Sequence, residues 1–156
     1  MVPPGDQAFD PADAVGGALV DAAVAARDAR LIETGLRIYR HVRDQVDPVV
    51  RRAGTPVLAF PSVLQRPGGQ RDCLVVVMAG SILVAWPGSP LRAEAGAFEI
   101  DKSAVARVEI TPAAPGDHFL SVLTLEGTFG RCSIGLPRGA TVFGVWLRGA
   151  VGADRP

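Results

Sequence analysis

The glycine-rich turn that carries bases, Gln65-Arg66-Pro67-Gly68-Gly69-Gln70-Arg71, is the best candidate for anion chemistry in this chain of 156 residues. Phosphate clamps need several converging charges, or backbone amides at a helix N-terminus, and two arginines beside a turn supply neither. An ordinary exposed hairpin loop is therefore the first expectation, with Arg66, Gly68, Gly69 and Arg71 as the alternative ligand set. Catalysis has less to build on. A nucleophile needs a base to activate it, and the histidines are only His41, on a helical stretch, and His118, whose sequence neighbour Asp117 is badly placed to orient it. Ser81 and Ser103 lack the Gly-x-Ser-x-Gly frame of a nucleophile elbow. Carboxylates are scattered and no metal-ligand spacing occurs, so the expectation is no enzyme, no metal and no cofactor.

Whatever the chain binds must be positioned by its elements, which divide into two grammars. Residues 1–10 read as a disordered start, and Asp10-Pro11 as an N-cap followed by a first-turn proline. From Asp13 to Ala26 a narrow stripe of Val15, Ala18, Leu19, Ala22, Ala23 and Ala26 recurs at helical spacing. From Arg30 to Asp47 a wider stripe holds Leu31, Ile32, Leu36, Ile38, Tyr39, Val42 and Val46. Its polar side carries arginines whose i,i+4 acids, Glu33 for Arg37, Asp44 for Arg40 and Asp47 for Arg43, predict a solvated face. Asp47-Pro48 then predicts a restart through Val49 and Val50, ended by Gly54. The helical arm thus covers residues 11–54.

Beyond Gly54 the chain changes to short β-branched runs parted by Gly, Pro and Asp clusters. Seven runs are predicted: Val57–Leu64, Asp72–Met78, Ser81–Trp86, Ala97–Ile100, Ala104–Thr111, His118–Leu125 and Thr128–Leu136. Val105, Arg107 and Glu109 alternate with Ala106, Val108 and Ile110, which predicts one-sided burial. After Pro137 the period is helical again, with Val142, Phe143, Trp146, Leu147 and Ala150 on one face and Trp146 expected against the sheet. The β domain spans 55–151 and a disordered tail 152–156. The fold class is α+β: a seven-stranded antiparallel bent sheet or barrel with a C-terminal capping helix, preceded by the helical arm.

That order of elements resembles the pleckstrin-homology-like (PH-like) superfold, and within it the GRAM and bacterial PH branches. The likeness rests on the strand pair Leu74–Val77 and Ile82–Val84, on Phe98-Glu99-Ile100-Asp101-Lys102-Ser103 leading into Val105, and on Gly135-Leu136-Pro137 before the last helix. It covers about residues 55–151. It implies a binding module, and it places the Arg66 to Arg71 loop where phosphoinositide-binding members carry bases. The turn Met78-Ala79-Gly80-Ser81, often basic in such proteins, is not basic here.

Sixteen bases and sixteen acids leave no net charge, which argues against a nucleic-acid partner. The distribution is uneven: residues 1–26 carry four aspartates and no base, whereas residues 27–52 carry seven arginines against four acids. Cys73 and Cys132 sit in separate apolar runs and read as buried thiols of a reducing, cytoplasmic setting. The start has no secretory pattern, and the apolar run from Cys73 to Trp86 is shorter than the ~20 residues of a membrane span. Fifteen arginines against one lysine suit a GC-rich bacterial coding sequence.

Cys73–Met78 and Ile82–Trp86 are apolar on both faces, so the outer face of that strand pair needs a cover. The arm, through Leu31, Leu36, Ile38, Tyr39 and Val42, is the nearest. The first functional expectation is a non-catalytic module for protein contacts, including self-association into a homo-oligomer through Val15, Leu19, Ala22 and Ala26, with Leu36 and Tyr39 also at the interface. The alternatives are an anionic headgroup or small-ligand binder, touching membranes only peripherally, and an enzyme. In an unbroken helix the first stripe lies roughly 150° from the second, which favours a partner subunit over a hairpin folded on itself.

Overall fold

The computed structural model describes residues 9–66, 69–88, 95–113 and 121–136, together with 143, 144 and 147; at Arg66 it describes the backbone alone. The arm is two helices, α1 (Pro11–Ala26) and α2 (Arg30–Ala53). The Asp10 carboxylate accepts from the Ala12 N–H at 3.0 Å, and proline opens the first turn, as the sequence predicts.

The break between the helices has no glycine. Arg27 takes the left-handed conformation, φ 56, and its N–H and that of Asp28 donate back to the carbonyls of Val24 and Ala23. This is a Schellman closure with arginine where glycine is usual. The Asp28 carboxylate then accepts from the Arg30 N–H at 3.1 Å and from its guanidinium at 3.0 Å, fixing the entry to α2. The restart predicted at Pro48 does not occur: α2 continues through it and ends at Gly54, whose φ of 92 suits glycine.

The helices form a hairpin, and this corrects the expected subunit interface. Val15, Leu19, Ala22 and Tyr39 are buried within the chain itself, while Ala26 and Leu36 are half-buried against its core. None of these six forms the outward face of the folded chain. Leu19 lies so close to α2 that a Cβ at Gly35 would stand 2.4 Å from its Cδ2, so the absent side chain sets the approach of the helices.

Seven antiparallel strands follow: β1 (Leu58–Arg66), β2 (Gly69–Val77), β3 (Ser81–Trp86), β4 (Gly96–Asp101), β5 (Val105–Pro112), β6 (Ser121–Gly127) and β7 (Gly130–Leu136). Their order in the sheet is β4-β3-β2-β1-β7-β6-β5, so β1 joins the two halves by pairing with β2 and β7. The sheet is open, with β4 and β5 at its edges. Phe143, Gly144 and Leu147 are helical, and Phe143 and Leu147 are buried. Trp146, with Val142 and Ala150, lies outside the described residues. Among the described residues the architecture is two helices followed by an open, seven-stranded antiparallel sheet.

Period-2 alternation divides the strand side chains between two cores. Phe60, Val75, Val77, Ile82, Val84, Leu123, Leu125 and Ile134 face inward, and Phe143 stacks on Phe60 with ring centroids 4.6 Å apart. Ala59, Leu74, Val76, Leu83 and Ala85 face outward and are covered by Ile38, Tyr39, Val42, Val46 and Val50 of α2. The arm therefore covers the outer side of the apolar strand pair, although Leu31 joins the inner core instead.

The alternation predicted along β5 fails at one point. The register shifts between Val105 and Arg107, so Ala106 is the extra residue of a bulge, and Val105 and Val108 are both buried. The bulge brings the Ala104 carbonyl against Gly127: a Cβ there would lie 1.9 Å from that oxygen. Gly127→Ala is expected to cost about 3 kcal/mol and to lower the thermal midpoint by roughly 6–12 °C, whereas Gly130→Ala, with no such neighbour, meets only the strain of its positive φ. Paired melts of the two variants check this.

Candidate functional site

The predicted anion loop is smaller than its sequence suggested. Arg66 pairs with Gly69, Gln65 with Gln70 and Leu64 with Arg71, so the strands run almost to the turn. Arg71 is a half-buried member of β2, and the Gln65 side-chain oxygen accepts from Gln70 at 3.4 Å. Gly69 is exposed with φ 148. Gly68 and the Arg66 side chain lie outside the described residues.

A second polar cluster opens where α2 ends beside the sheet, lined by Arg52, Gly80, Ser81, Glu99 and Asp101. The Arg52 guanidinium donates to one oxygen of Glu99, and the Ser81 hydroxyl donates to the other at 2.7 Å. Asp101 accepts from the Ser103 N–H at 3.0 Å and from its hydroxyl at 2.8 Å, and these bonds hold its carboxyl below the usual carboxylate range. The Glu99 bonds tie the end of α2 to β3 and β4. The turn after β2, which carries no base, contributes a carbonyl here: Gly80 accepts from the Lys102 N–H at 3.0 Å.

The thiols are placed for packing. Cys73 and Cys132 are both buried and outside any disulfide, and burial pushes the Cys73 thiol far up, which keeps it protonated. His41 is exposed on α2, and His118 lies outside the described residues. Among the described residues no three His, Cys, Asp or Glu side chains come together as a metal site, and no helix is long and apolar enough to cross a membrane.

The surface that sequence reasoning missed is the outward face of the hairpin. Phe9, Val20 and Val24 are 40%, 44% and 72% exposed, and they make up three of the five large hydrophobics exposed among the described residues. Phe9 precedes the helix; on α1 itself Asp13, Val20 and Val24 recur at spacings of seven and four, on the side turned away from the buried Val15 and Leu19. The arginines of α2 are also exposed. Of the ion pairs predicted there, Arg43–Asp47 forms at 3.3 Å, with the Tyr39 hydroxyl donating to the same carboxylate at 2.6 Å. Glu33–Arg37 and Arg40–Asp44 do not come within ion-pair distance, leaving Arg37 and Arg40 exposed without an acid among the described residues. The signal for α1 was present: Val20 and Val24 sit at i,i+4 outside the stripe assigned to packing.

No family model matches the chain, and no curated protein matches it. Among solved structures, it is similar to the C-terminal domain of an unknown protein from Leishmania infantum, at 11% identity over 68% of this chain and 97% of that one, with a TM-score of 0.48. It is also similar to the hSac2 domain of the human phosphoinositide phosphatase Sac2, at 12% identity over 63% and 70% with a TM-score of 0.47. An N-terminally truncated linker-DH/PH fragment of p115-RhoGEF gives 11% identity over 88% and 44%, with a TM-score of 0.46.

Proposed function

We propose that the chain is a non-catalytic binding module of a reducing, cytoplasmic setting that makes protein contacts through the outward face of its helical arm. The observation that carries this reading is the exposure of Val20 and Val24 one turn apart on α1, with Phe9 exposed just ahead of that helix and Arg37 and Arg40 exposed on α2. Large apolar side chains exposed one turn apart, with charged residues exposed on the neighbouring helix, have the composition of a protein interface. The sheet beneath supplies a rigid platform, because α2 is seated on it through Val42, Val46 and Val50. A photo-crosslinking residue placed at Val24 in the full chain, expressed in its host, is expected to give protein adducts. The same residue at exposed Thr128, in the β6–β7 turn, is expected to give none. Equal adducts at both positions, or none at Val24, would overturn the reading.

A further inference from the structure

We infer that the occupant of this face is a second copy of the chain, docked so that α1 of each copy lies against α2 of the other; this rests on the protein-contact reading above. The two helices of one hairpin carry complementary charge. α1 carries Asp13 and Asp21 and no base, whereas α2 carries six arginines against three acids. Both acids of α1 are exposed, as are Arg37 and Arg40 on α2, and none of the four has an ion-pair partner among the described residues. In a two-fold arrangement each acid-to-base match occurs twice, since the contact of α1 with the partner's α2 is repeated by symmetry. The apolar centre matches as well. A Cβ at Gly16 or Gly17 would meet nothing within 4 Å, so a partner helix can approach α1 closely between Asp13 and Val20. The valines beside two aspartates are poorly suited to an anionic membrane, which would attract the arginines but repel α1.

The test is light scattering on the full chain with three double variants. The intact chain is expected at twice its 16.3 kDa mass. Val20→Asp with Val24→Asp should give monomer, and because both positions are exposed, circular dichroism should be unchanged. Asp13→Arg with Asp21→Arg should be monomeric, as should Arg37→Glu with Arg40→Glu. Mixed one to one, these two charge-swapped chains should recover the dimer mass, since each now offers what the other lacks. A monomeric intact chain, a dimer indifferent to Val20 and Val24, or a mixture that stays monomeric would each overturn the inference. So would a monomer that sediments with phosphatidylserine vesicles, which would assign the face to a membrane and also remove the protein-contact reading. A monomer whose Val24 crosslinks to a different protein would overturn self-docking and leave that reading standing.

Discussion

A chain begun at Gly54 is expected to be insoluble. Without α1 and α2 the outer face of β1 to β3 would present Leu74, Val76, Met78 and Leu83, each at most 1% exposed in the folded chain, directly to water. At about 1.5–3 kcal/mol for each large side chain, these four alone forfeit roughly 6–12 kcal/mol, comparable with the roughly 5–15 kcal/mol that holds a typical domain together. Loss of the soluble fraction on expression, with aggregate in scattering, is the expected result; a well-behaved monomer from residue 54 onward would falsify the covering role of α2. A finer probe leaves the arm in place. Val42→Asp puts a carboxylate where exposure is zero, and it should expose the same face at lower denaturant.

The second large effect is expected inside the other core. Phe60 is fully buried and stacks on Phe143, with ring planes 26° apart, so it joins the strand that links the two halves of the sheet to the closing helical segment. Phe60→Ala should cost about 3–5 kcal/mol, combining lost burial with a cavity that the surrounding strands cannot fill. Phe129→Ala, at a ring 39% exposed in the β6–β7 turn, should stay within about 0.5 kcal/mol. Urea melts of the two variants side by side give the contrast, with similar slopes and separated midpoints.

The strands were legible because their side chains alternate and their ends carry Gly, Pro and Asp, and the covering of the apolar pair followed from its lack of a polar face. Three features were hidden, each for a local reason. The break at Arg27 is made by a non-glycine residue in a left-handed conformation, which leaves no mark in composition. In an unbroken helix the stripe of Val15, Leu19 and Ala22 would face outward; the hairpin turns it inward. Pro48 looks like a boundary because proline lacks an amide hydrogen, yet α2 runs through it. The bulge at Ala106 cannot be read from β5 alone, since it depends on the register against β6. Of the candidate anion set, Arg71 was misplaced because the strand pairing reaches farther toward the turn than its glycines suggest.

The order of the arm and the strands it covers also bears on synthesis. A ribosome makes α2 before β1, β2 and β3, and chains fold from the N-terminus as they emerge, at about 5–20 residues per second. The hairpin needs only contacts between neighbouring helices, whereas Ser62 must wait for the carbonyl of Gly135, 73 residues later, before the two halves of the sheet can be joined. In that interval the nascent strand pair, apolar on both sides, meets its cover as soon as it appears. Moving the arm to the other end of the gene would leave the final contacts the same but lengthen the time that sticky surface spends unprotected, so a circular permutant should fold to the same structure in lower yield.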